Sequence, residues 1–128
     1  MPDKKISPYG SWVSPITAEL ITQGGLRLGE VRVDGTDIYW LEGRPEESGR
    51  HVVVRRTSDG SVTDINPTPF NARNAVHEYG GASFAVRDGV VYFANWDDQR
   101  IYSVAENSSP VPITAEPDID QGLSLIHI

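Results

Sequence analysis

A pattern of four short apolar runs separated by turn signals occurs twice in this chain, and that duplication constrains the fold more than any other feature. In the first copy, a strand-like segment carrying Leu26, Leu28, Val31 and Val33 meets the turn signal Asp34-Gly35, and Ile38-Tyr39-Trp40-Leu41 follows as a continuous apolar run of strand length. The polar loop from Glu42 to Gly49 then delivers the chain to His51-Val-Val-Val-Arg-Arg. Ser58-Asp59-Gly60 turns it into Val62-Thr-Asp-Ile65, which Pro67 and Pro69 close. In the second copy, Ala82 to Val86 answers the segment ending at Val33, Asp88-Gly89 answers Asp34-Gly35, and Val91-Tyr92-Phe93 answers Ile38-Tyr39-Trp40. Arg100 to Val104 answers Arg50 to Val54, and Val111-Pro-Ile113-Thr answers Thr63-Asp-Ile65-Asn. The offset is about 53 residues at Ile38 and Val91 and about 50 afterwards, because Asn95 to Gln99 is the shorter loop. A four-strand repeat of that length is the size of a propeller blade.

The expected fold is therefore all-β, a partial β-propeller of about two four-stranded antiparallel blades with a short N-terminal extension. The extension covers residues 1–24, the blades 25–117 (about 25–69 and 70–117), and residues 118–128 form a tail outside them. Twelve Gly and nine Pro among 128 residues leave room for only short helices. One is expected after Ser14, with Pro15 at its first position, Glu19 in or just past its first turn, and Gly24-Gly25 as its stop. Each blade is a twisted sheet whose faces are covered by neighbouring blades, so two blades leave one face of each bare. A closed propeller needs about 4–8 blades, and a hydrophobic share of 38% with a mean hydropathy of −0.34 is low for a self-sufficient core. Assembly of several copies into a ring, or a longer parent of which this is the front part, would complete it.

Charge narrows the partners. Eleven Lys and Arg against 18 Asp and Glu give −7 and a pI near 4.8, which disfavours phosphate backbones and anionic lipid surfaces, so neither nucleic acid nor membrane is an expected partner. Zero cysteines exclude a disulfide framework, a thiolate metal site and a cysteine nucleophile. No apolar run follows the starting Met-Pro-Asp-Lys-Lys, so no leader or spanning helix is read and a cytoplasmic location is expected.

Tyr-Gly-Ser-Trp (9–12), Ser-Pro-Ile (14–16), Ile-Tyr-Trp-Leu-Glu-Gly-Arg-Pro (38–45), Val-His-Glu-Tyr-Gly-Gly (76–81) and Asp-Gln-Arg (98–100) occur in that order. Together they resemble the N-terminal propeller of prolyl-oligopeptidase-family serine peptidases, in particular the bacterial acylaminoacyl-peptidase and dipeptidyl-aminopeptidase group, from about Ser7 to about Pro117. The resemblance implies a propeller acting as an access-restricting lid over a C-terminal α/β-hydrolase domain whose Ser, Asp and His cleave short peptides. That domain is the implied partner and short or N-acylated peptides the implied substrates. No catalytic residue carries over to these 128 residues, so the chain by itself is expected to be inert. Gln121 to Ile128 reads as translated adapter DNA, with the alternative of a genuine last strand from Leu123. The alternative function is a stand-alone propeller-like module that oligomerises through open blade edges and binds a peptide or protein.

Motif by motif, the residues offer little chemistry of their own. Gly81-Ala-Ser83-Phe-Ala85 approaches a nucleophile elbow but has Ala in place of the last Gly and lies in a strand pattern, so Ser83 is read as a sheet residue. The three histidines, His51, His77 and His127, do not suggest a triad base. His77-Glu78 lacks the second His of a helical zinc motif, and Asp118-Ile-Asp120-Gln-Gly122 lacks a ligand of a calcium loop. No metal or cofactor is expected, and the Asn107-Ser-Ser sequon is idle in a cytoplasmic protein. Val76 to Gly81 is the string of interest. Structurally it reads as the entry to the innermost strand of the second blade, with Tyr79 in the core and Glu78 satisfying backbone donors. Functionally, Arg73, His77 and Glu78 are the candidate substrate-binding residues, with Arg73 or Glu78 facing the central cavity to meet a peptide terminus. Trp40, Phe93 and Trp96 are read as interblade packing rather than ligand-stacking rings.

Overall fold

In the computed structural model, residues 6–115 are described. The tail 118–128, with its calcium-loop and adapter readings, and His127 lie outside them. The strands are β1 (Arg27–Asp34), β2 (Asp37–Arg44), β3 (Arg50–Arg56), β4 (Val62–Asp64), β5 (Phe84–Arg87), β6 (Val90–Ala94), β7 (Ile101–Val104) and β8 (Val111–Pro112). They form two antiparallel four-stranded sheets, β1-β2-β3-β4 and β5-β6-β7-β8, so the duplicated pattern is two propeller blades.

Alternation within each strand decides what the sheets bury. Tyr39 and Leu41 on β2 share a face with their partners Arg55 and Val53 on β3. On the second sheet Phe84, Val91, Phe93, Tyr102 and Val104 share one face through the pairs Phe84 with Phe93, Val91 with Val104, and Phe93 with Tyr102. These two faces meet in a single cluster with Ala72, and Phe70, Ile65 and Val86 pack against it. Phe70 meets Tyr102 and Phe93 edge-on at ring distances of 5.0 and 6.0 Å, while Phe93 and Tyr102 stack at 5.7 Å. The core is therefore the interface between blades.

Polar groups fix the angle at which the blades meet. A bulge between Gly29 and Arg32 interrupts the β1–β2 register, and within it Glu30 adopts φ +50°. The bulge turns the Glu30 carboxylate across the gap, where both oxygens accept from the Ser83 N–H at 2.9 and 3.1 Å. Asp34 Oδ2 accepts from Gly89 N–H at 2.6 Å, and Arg55 reaches Glu106 at 3.1 Å. The connecting segment is pinned to both sheets: Ala72 N–H donates to His51 O, His51 N–H to Asn71 Oδ1, and Arg73 N–H to Ala94 O.

Four expectations need correction. The helix is α1 (Ala18–Thr22), capped by Thr17, whose hydroxyl accepts from Leu20 N–H; Pro15 lies outside it, because Thr17 can satisfy a first-turn donor and proline cannot. The two Asp-Gly signals do not coincide in space. Register pairs Asp34 with Asp37 but Arg87 with Val90, so Asp88-Gly89 takes the place of Gly35-Thr36, one residue along. Tyr79 is not a core residue but 97% exposed. Trp40 points away from the blade interface, sharing with Val54 the opposite face of the first sheet, where its Nε1–H donates to Glu42 Oε1 at 2.9 Å. Leu28, Val33, Ile38 and Val62 are exposed too, as are Tyr9, Trp12, Val13 and Ile16 of the extension.

Candidate functional site

Where the entry to β5 passes the bulge of β1, the two blades enclose a cleft of about 460 Å³. Its walls are Glu30 and Arg32 from β1, Leu41 and His51 from β2 and β3, Arg73 and Asn74 from the connecting segment, and the stretch from Tyr79 to Ser83. Asn74 builds the last of these. It is 2% exposed, its Oδ1 accepts from Gly81 N–H at 2.8 Å and Val76 N–H at 3.2 Å, and its Nδ2 donates to Ala82 O at 3.0 Å and Gly81 O at 3.3 Å. One buried amide thus uses both its donors and its acceptor to shape the turn. Gly80 completes it, since its φ of +86° and the 3.3 Å between a would-be Cβ and Asn74 O both favour glycine.

Held in this way, the turn carries strain. His77 and Glu78 stand at φ +51° and +65° inside the 3-10 turn Val76–Glu78, a left-handed conformation that costs about 1–2 kcal/mol per non-glycine residue. Both side chains are exposed, as is Tyr79. Of the three candidate residues, Arg73 therefore lines the cleft, while His77 and Glu78 sit on the adjoining turn and do not. Among the described residues the Glu78 carboxylate accepts from no backbone N–H; Asn74 does that work.

The charges in the cleft are unequal in their commitments. Glu30 is spent on Ser83 N–H, and Arg32 lies over the Phe84 ring at 5.7 Å, with Glu30 at 3.9 Å. The Arg73 guanidinium stacks on Trp96 at 4.4 Å and has no carboxylate partner among the described residues. His51 is held below its ordinary pKa of 6.5, first by burial and then by the positive charge of Arg73. Its Nδ1 is buried without a hydrogen-bond partner among the described residues. Ser83, buried just before β5, directs its hydroxyl to Gly81 O at 3.4 Å, which is the behaviour of a sheet-entry residue rather than a nucleophile.

Sequence reasoning missed the asparagines. Asn66 repeats the logic of Asn74, its Oδ1 accepting from Val53 N–H at 2.7 Å and its Nδ2 donating to His51 O and Phe70 O. Asn95 Oδ1 accepts from Asn71 N–H. The available signal was an Asn directly after the apolar runs ending at Ile65 and Ala94, which marks a turn but not its long-range partners. The stacking of Arg73 on Trp96 was likewise invisible across 22 intervening positions.

No family model matches the sequence, and no curated protein matches it. Solved structures do. A puromycin-hydrolyzing peptidase of Mycobacterium tuberculosis is 40% identical with a TM-score of 0.79, covering 94% of this chain and 19% of its own. A puromycin hydrolase is 36% identical with a TM-score of 0.71, covering 83% and 17%. The S511A mutant of puromycin hydrolase complexed with PGG is 35% identical with a TM-score of 0.77, covering 88% and 18%. The chain thus spans less than a fifth of the length of each structure. Among its described residues no helix is long and apolar enough to cross a membrane.

Proposed function

The chain belongs to the propeller region of the prolyl-oligopeptidase family, and on that premise we propose that it is the N-terminal, access-restricting part of a cytoplasmic serine peptidase acting on short or N-acylated peptides. Acylaminoacyl-peptidase and dipeptidyl-aminopeptidase action are the two activities this reading admits. The catalytic Ser, Asp and His are supplied by an α/β-hydrolase domain, and the blades supply one wall of the chamber in which small substrates are held. The observation that carries the reading is the strained Val76–Gly80 turn: two left-handed non-glycine residues are kept beside a cleft by a fully engaged buried asparagine, and such outliers persist where the surroundings over-determine them for use. On this reading His77, Glu78 and Arg73 face substrate.

The test is a graft. The chain replaces the corresponding segment of a puromycin-hydrolyzing peptidase, and turnover of amino-acyl and N-acetylated p-nitroanilides is measured for the graft and for the chain alone. Activity in the graft, none in the isolated chain, and a loss of about 10-fold or more in kcat/KM on Glu78→Ala support the reading. An inactive but folded graft, or turnover by the chain alone, overturns it.

A further inference from the structure

Resting on the reading of the cleft as substrate-facing, we infer that the cleft between the two blades is a carboxylate subsite, in which Arg73 receives the anionic end of a short peptide. Four observations converge on it. First, in a chain with 18 acidic residues and 11 basic ones, the cleft inverts the balance, with Arg32 and Arg73 against Glu30. Second, Glu30 stands 3.9 Å from the Arg32 guanidinium while accepting from Ser83 N–H, so the charge left over in the cleft is that of Arg73. Third, Arg73 is held without being consumed: its Cζ lies over the Trp96 ring at 4.4 Å, and its N–H groups have no carboxylate partner among the described residues. A planar, pre-oriented fork matches a carboxylate with two parallel hydrogen bonds and loses little freedom in doing so.

Fourth, the lining includes a second donor with no partner. The Ala82 N–H makes no hydrogen bond among the described residues, whereas its neighbours Gly81 and Ser83 are committed to Asn74 and Glu30. An Arg fork and an uncommitted N–H in one cleft suit an anionic oxygen pair. His51 lines the same cleft, its pKa held below the ordinary value by burial and by Arg73. The cleft volume of about 460 Å³ admits the last one or two residues of a peptide.

The experiment titrates the graft, with its nucleophilic serine replaced by alanine and its Trp and Ala residues 15N-labelled, with acetyl-glycyl-glycine, its C-terminal amide, and inorganic phosphate, following the Trp96 indole N–H and the Ala82 amide. The expected result is saturable shifts of both signals with the acid, at least tenfold weaker binding of the amide and of phosphate, and a tenfold or greater loss on Arg73→Gln, with Arg73→Lys in between. Arg73 is exposed, so neither variant threatens folding. Equal affinity for acid and amide, equal affinity for phosphate, or undiminished binding by Arg73→Gln overturns the subsite. Discrimination here alongside an inactive graft overturns the peptidase reading and leaves the subsite standing; an active graft with no discrimination does the reverse.

Discussion

Asn74 shows how much one side chain can hold at a site of this kind. Its four hydrogen bonds are the reason that a string with no intrinsic preference for the left-handed region stays there. Asn74→Ala leaves two N–H and two C=O groups without that partner, and at about 1 kcal/mol for each net hydrogen bond the expected loss is about 2–4 kcal/mol in urea unfolding. His51 supplies a pH dependence. Its folded-state pKa lies below 6.5, so the unfolded chain binds the proton more readily. The contribution is fully present above about pH 6.5 and is lost as pH falls toward the folded-state value. The urea midpoint of the natural chain should drop between pH 7.5 and 5.5 by more than that of His51→Gln. Equal drops would show that the imidazole is not the responsible group.

At the level of elements, the β1 bulge carries the most consequence for least sequence. An unbroken β1 would not place Glu30 at φ +50°, nor its carboxylate on Ser83 N–H. The hydrogen bonds are charge-assisted and half-buried, so Glu30→Ala should cost about 1–3 kcal/mol and Glu30→Gln about 1. Hydrogen exchange gives the discriminating readout: the Ser83 amide should lose protection first, ahead of amides within β2 and β3. If the whole chain loosens together, the contact serves the global fold and not the local docking of β5. Two other polar interblade contacts, Asp34 with Gly89 and Arg55 with Glu106, lie away from the bulge and should be unaffected.

For the whole molecule, the distribution of apolar surface is decisive. The cluster around Phe84 and Phe93 is buried and shared by both sheets, whereas Leu28, Val33, Val62 and Val111 remain exposed on the outward faces. Bare sheet faces and unpaired edges promote nonspecific association. The isolated chain should therefore sediment as a concentration-dependent, polydisperse species and melt broadly, while amides in β2, β3 and β6 beside the core stay protected. A sharp melt with one fixed stoichiometry would instead support the stand-alone module that oligomerises through its blade edges. Because the core is shared, Phe84→Ala, expected to cost about 3–5 kcal/mol, should release both sheets together.

Much of this was legible in the chain itself. Strand alternation, turn signals and the duplicated pattern are local properties, so residues such as Tyr39, Leu41, Val91 and Phe93 announce two four-stranded sheets without further help. Ordered motifs from Tyr9 to Arg100 likewise announced the family. What the sequence did not carry was direction across space. Whether Tyr79 fills the core or stands in solvent depends on a turn set by Asn74, five positions earlier. Whether Asp88-Gly89 matches Asp34-Gly35 depends on hairpin register, which a one-residue slip of similar letters conceals. The cleft exists only because a bulge in the first blade, a connecting segment and the entry to the second blade converge. Tertiary structure alone brings Glu30 to Ser83 and Arg73 to Trp96, since pattern reading senses neighbours along the chain while these contacts are made between elements.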